Sequence, residues 1–251
     1  MRCTLAVASA ILAIASTAVA SEPLTGLERA WIAAGMPVVQ AGRARGLPID
    51  IVVQPTDQPD ASPIALGIVD DRCQLVLSMR GNPSADALSA SIPTERFAAI
   101  AEAVFAHEIA HCWRWTQGVW HALPAGFADA LDDDTQGHGP EALASMRREM
   151  RETRREEAYA DLVGLAWTRT VHPGDYRAVK DWLARFRDDA LPGDFHDTSA
   201  WLRLAQDPAA FGSEADPFLA AQPLWVRGLA GDRDAAREDE ARVRAASDAR
   251  R

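Results

Sequence analysis

The sequence predicts an α+β fold in which a small, mostly antiparallel sheet packs on a long helix. A second long helix and a mainly helical C-terminal half complete the expected architecture. Three observations carry this. Short β-branched or aliphatic runs, IDIVV (49–53), IALGIV (64–69) and CQLVLSM (73–79), lie close together and are separated by turn chemistry. Apolar residues then recur at helical spacing between Thr94 and Gly118, and again from Pro140 to Trp167. Beyond residue 171 the apolar segments read as two further helices, near Tyr176–Phe186 and Thr198–Ala205.

Taken in order, the first twenty residues form a unit of their own, MRCTLAVASAILAIASTAVA. Arg2 precedes an apolar core from Leu5 to Ile14, and Ala18-Val19-Ala20 supplies small residues for cleavage, which predicts a signal peptide over 1–20 and a periplasmic or secreted protein. A helix follows over Gly26–Ala41, with Leu27, Trp31, Ala34 and Val38 near one face. The VDDRC connection joins the second and third strand runs as a hairpin. Gly81-Asn82-Pro83 breaks the pattern, and Ser91–Thr94 with Glu95 offers the start of a long helix that runs to Gly118. Residues 132–140, DDDTQGHGP, form a polar loop placed to act as a lid or simply to be solvated. From Pro140 a helix presents Leu143, Met146 and Met150 on one side, with an arginine- and glutamate-rich side expected to face water. The charged segment 231–251 reads as frayed helix or a disordered tail, leaving residues 21–230 as a single domain.

Composition narrows the function classes. The chain has 251 residues, 48% of them hydrophobic, and a formal charge of −10, which argues against a phosphate-backbone or anionic-lipid partner. No segment after the first is apolar enough for stable membrane insertion. The eight tryptophans are spaced along apolar helical faces and are expected in the core. Export leaves Cys73 and Cys112, an even pair that either bridges or remains as two buried thiols.

The chemistry concentrates in VFAHEIAHCWRW (104–115). His107 and His111 stand one helical turn apart on the stripe of Ile100 and Val104, so both imidazoles can reach one ion at roughly 2.0–2.1 Å. Glu108 lies about 100° around the helix, suited to a water on the ion rather than to the ion itself. That is the HExxH pattern: two neutral imidazoles hold Zn²⁺ and a carboxylate acts as general base. A catalytic zinc needs a third protein ligand. Arg114 and Gln117 occupy the positions where HExxHxxGxxH has glycine and histidine, so the ligand comes from elsewhere. The helical face of Met146, Met150 and Thr153 continues to Glu157, which would point a carboxylate inward, where a cation offsets its burial. Glu156 falls on the arginine-rich side as a solvated salt-bridge partner. Asp161, one turn beyond Glu157, suits the carboxylate that orients a ligating histidine, or else an ion pair with an arginine. Gly164 and nearby alanines allow close approach of the two helices.

HEIAH (107–111) followed by EAYAD (157–161) resembles the gluzincin metallopeptidases. The chain is most similar to the family of the HtpX-type heat-shock proteases, the CAAX prenyl proteases and their soluble periplasmic relatives, over about residues 60–205. The resemblance implies a zincin-like fold and an exported zinc metallopeptidase. It implies His107, His111 and Glu157 as metal ligands, Glu108 as base, and Asp161 behind a histidine. It also implies a downstream histidine that contacts substrate and oxyanion, here His196, although Asp197 stands where proline is usual; His172 is the other candidate. Arg203 corresponds to an arginine of the family. His121 and His138 read as loop residues. A peptide or protein substrate is expected to add as an extended strand beside the HExxH helix, with Cys73–Met79 as the receiving strand. The chain departs from familiar members in having neither membrane helices nor helical repeats. Two rival readings stand beside this one: a catalytically weak zincin-like binding or chaperone-type protein of the cell envelope, and a structural protein without metal.

Overall fold

The computed structural model describes residues 23–55, 61–125, 127, 141–188 and 194–248. The expected signal peptide, the loop 132–139 and His138 lie outside them. The structure is α+β, with one three-stranded sheet and seven α-helices among the described residues. No described helix is long and apolar enough to cross a membrane.

Helix α1 (Gly26–Ala44) begins with a capping box in which the Thr25 hydroxyl accepts from the Glu28 backbone and Glu28 accepts from the Thr25 N–H. It buries Trp31, Val38 and Val39. Strands β1 (Ile49–Val53), β2 (Ile64–Val69) and β3 (Arg72–Leu77) follow. The β2–β3 hairpin turns on Asp70 and Asp71, both with positive φ (50° and 58°), as a two-residue turn matched to strand twist requires.

The sheet order is β1-β3-β2. β3 runs antiparallel to β2 and parallel to β1, so the sheet is mixed rather than mostly antiparallel. This corrects a second expectation. β3 is the central strand, with both backbone edges occupied, so it cannot receive a further strand. The edge next to the long helix is β2.

Gly81-Asn82-Pro83 starts a helix rather than merely breaking one. Asn82 accepts from Ser84 N–H and Pro83 occupies the first turn of α2 (Pro83–Ala90). A short 3₁₀ turn at Thr94–Arg96 leads into α3 (Phe97–Thr116), which ends before Gly118 (φ 67°). α3 is the axis of the molecule, between α1, the sheet and α4 (Glu141–Val171), and so is apolar on nearly all sides. Cys112 on α3 is bonded to Cys73 on β3 across 39 residues of sequence. The C-terminal half adds α5 (Tyr176–Arg187), α6 (Ser199–Leu204) and α7 (Pro217–Asp248). The boundary expected at residue 230 therefore falls inside a helix.

α4 differs from its sequence reading in a way that matters. Met146 is exposed, and the inward face begins only near Met150. The arginine-rich side is not solvated: Arg151, Arg154, Arg155 and Glu156 are all buried. α7 packs over that side. Its Asp232 carboxylate accepts from Arg154 (2.7 and 3.1 Å) and from Arg155 (2.9 Å). Arg114 on α3 forks onto Glu156 with two 2.8 Å bonds, with the Trp225 ring 4.5 Å and the Tyr159 ring 5.3 Å from its guanidinium.

Candidate metal centre

α3 and α4 cross closely at Gly164, where a Cβ would lie 2.8 Å from the Ala103 carbonyl oxygen. That contact, one turn before His107 and two turns after Glu157, brings the two helices' polar residues together. The His107 and His111 rings stand perpendicular with centroids 4.8 Å apart. Their Nε2 atoms are 3.2 Å apart, and each lies 3.4 Å from a Glu157 carboxylate oxygen. Three donors held at 2.0–2.1 Å around one tetrahedral ion would be separated from one another by about 3.3–3.4 Å. The three side chains fit a shared cation, and they form the group that could hold a metal among the described residues.

The surrounding residues order these donors. His107 Nδ1 is 2.9 Å from Asp161 Oδ1, a contact through which a neutral ring would donate and leave its Nε2 lone pair for a cation shared with His111 and Glu157. Asp161 is fully enclosed. It also accepts from Arg187 Nη2 (2.7 Å) and Nε (3.0 Å), and from the Thr198 hydroxyl (2.6 Å). Both roles foreseen for Asp161, histidine partner and arginine partner, are filled at once. Arg187 reaches Glu157 Oε2 as well, at 3.1 Å. Glu108 lines the same cleft but is not among the clustered donors.

The charges around the cluster would suit a cation. Burial pulls the His107 imidazole down, but Glu157 and Asp161 outweigh it and hold its pKa up at about 10. Burial opposes ionisation of Glu157 too, yet the two histidines keep it well below the carboxylate range. Asp161 is likewise held at about 2, burial being overcome by Arg187 and His107. Glu108 is pushed up, mainly by burial. With Glu108 ionised, three carboxylates face one guanidinium, an excess of two negative charges that a divalent ion cancels. Without an ion, a proton on His107 offsets one of those two charges.

The remaining expected residues are spread out. His196 stands at the cleft mouth, its side chain 56% exposed and Nε2 3.8 Å from Glu157 Oε2. His172 is outside the cleft, 3.1 Å from Glu102 Oε1. Arg203 is exposed on α6, and the arginine beside the donors is Arg187, at the end of α5. Glu156, expected in solvent, is 1% exposed.

A cleft of about 800 Å³ opens over the donors. Its walls are mostly apolar and come from the β2 edge (Ile64, Leu66), α3 (Val104) and α5 (Trp182, Phe186), with Trp120 beside His111. Trp31, Trp182, Trp201 and Trp225 are core residues, as expected, whereas Trp115 is exposed; Trp115, Trp120 and Trp182 line this cleft.

Compared with known proteins the chain has no match: no family model, no curated protein and no solved structure matches it.

Proposed function

We propose that the protein is an exported zinc-dependent endopeptidase of the gluzincin type, with His107, His111 and Glu157 as ligands and Glu108 as general base. The observation that carries this is the set of 3.2–3.4 Å separations among two imidazole nitrogens and a carboxylate. Zinc, when bound, supplies Lewis acidity that polarises a substrate carbonyl and acidifies a water. Glu108 then takes the proton from the attacking water and returns it to the leaving amine, a task for which its raised pKa suits it. Asp161, held by Arg187 and Thr198, keeps His107 in the tautomer that donates from Nδ1. His196, at the open mouth, is positioned to turn toward the developing oxyanion once substrate fills the cleft.

The substrate in this reading is an extended peptide paired with β2, the outer strand among the described residues, in place of the central β3. The apolar walls favour segments rich in large apolar side chains, such as those an unfolded exported protein presents. Export is supported by the N-terminal segment and by the Cys73–Cys112 bridge, since disulfides persist in oxidising compartments.

Glu108→Gln tests the mechanism. It should leave zinc content unchanged and remove cleavage of a denatured protein substrate, whereas unchanged cleavage contradicts the assigned base. Zinc binding without any cleavage by the unaltered protein favours the binding or chaperone-type alternative.

A further inference from the structure

The two histidines differ on their outer sides. His107 Nδ1 has Asp161, whereas His111 Nδ1 is buried and has no hydrogen-bond partner among the described residues. A neutral imidazole that offers its Nε2 lone pair to a cation carries its proton on Nδ1. In that state His111 places an N–H donor in the interior, where an unmet donor is costly.

Next to it is an aromatic ring. The Trp120 ring lies 5.5 Å from that of His111, centroid to centroid, at 75°, the arrangement in which an edge of one ring meets the face of the other. An indole face carries negative potential and accepts an N–H weakly.

Trp120 is also clamped in place. It follows Gly118, whose positive φ ends α3. The two next residues are held by one buried ion pair: Glu156 Oε1 accepts the His121 N–H at 2.8 Å, and Arg114 Nη2 donates to Ala122 O at 3.0 Å. His121 adopts φ 58° and stacks on Trp120 with centroids 5.1 Å apart. A non-glycine residue holds that conformation only where its surroundings enforce it. Arg114 lies three residues after His111 and Glu156 immediately before Glu157, so the same two helices that supply the donors fix the loop.

We propose that Trp120 is the outer partner of His111, its indole face receiving the Nδ1–H while Nε2 ligates the metal. Trp120 is thus a positioning residue, and the Arg114–Glu156 pair serves the centre by holding its loop. The proposal rests on the zinc reading above.

The test compares the unaltered protein with Trp120→Phe and Trp120→Leu, using zinc affinity by chelator competition and the histidine ring N–H resonances of the zinc-loaded protein. Loss of an outer partner typically weakens metal binding 10–100-fold, so Trp120→Leu should fall by about tenfold or more, and Trp120→Phe, which keeps an aromatic face, by less than about threefold. The His111 Nδ1–H resonance should lie upfield of the carboxylate-bonded His107 Nδ1–H because of the ring current, and should move downfield in Trp120→Leu. Full zinc affinity in Trp120→Leu, an equal loss in Trp120→Phe, or an unmoved His111 resonance each overturns the proposal. If Trp120→Leu fails to fold, the resonance position in the unaltered protein and in Trp120→Phe still decides. Absence of zinc binding by the unaltered protein, measured first, instead removes the metal reading itself and this proposal with it.

Discussion

Replacing Gly164 with alanine puts a methyl group into the α3–α4 crossing. The added Cβ would lie 2.8 Å from the Ala103 carbonyl oxygen and 3.5 Å from its carbonyl carbon. Ordinary contact begins near 3.4 Å, so relief requires the helices to part by about 0.6 Å. The obstacle is backbone and has no rotamer to adopt. Overpacking of this kind costs about 1–3 kcal/mol. For a chain of this size a loss of about 2 kcal/mol corresponds to a fall of about 4–8 °C in Tm. The same displacement carries Glu157 away from the two imidazoles, which now stand 3.4 Å from it. A tenfold loss of zinc affinity, about 1.4 kcal/mol, is the expected minimum. Thermal unfolding of the chelator-treated protein reads the packing cost, and chelator competition reads the metal. Gly174→Ala is the control, because a Cβ there meets nothing within 4 Å. If Gly164→Ala matches that control in both assays, the close crossing does not set the site.

Two further predictions concern stability. Metal-free His107 has a folded pKa near 10 against an ordinary 6.5, so its contribution is complete below pH 6.5 and disappears as pH rises through about 10. The Tm of chelator-treated protein should therefore fall between pH 7 and 10, a range in which both tyrosines, raised by burial, stay neutral; a flat profile contradicts the account. For the same reason, zinc uptake at pH 7 should release a proton, measurable as buffer-dependent heat. Replacing both Cys73 and Cys112 with alanine frees a loop spanning 39 residues and should cost about 4 kcal/mol by chain entropy. Denaturant unfolding measures it, and a loss below about 1 kcal/mol would mean that the bridge contributes little beyond local packing.

The donors were legible in the sequence because helical geometry is local. His107 and His111 are related by one turn, and Glu157 by the phase of a single long helix. Asp161 followed by one further turn, and Gly164 as a small residue where two helices must meet. Arg187 carried no comparable signature: it lies 26 residues beyond Asp161, past the turn between α4 and α5, and only tertiary packing brings it back. Glu156 was misjudged for a related reason. The arginine- and glutamate-rich side of α4 has the composition of a solvated face, and only α7, with Asp232 and Trp225, converts it into a buried ionic layer. Removing one partner of the Arg114–Glu156 pair would leave an uncompensated buried charge. The β2–β3 hairpin was readable from its turn, but the insertion of β3 between β1 and β2 was not, because the parallel β1–β3 pairing leaves no local trace. Pro83 was read as a stop where it serves as a helix start; Asn82 before it was the available sign.

The most direct test of the central claim is the zinc content of the purified protein measured beside its Glu157→Ala variant. One zinc per chain, lost or readily stripped from the variant, is the expected result. A protein that carries no zinc, or a variant that holds it as firmly as the parent, contradicts the centre described here.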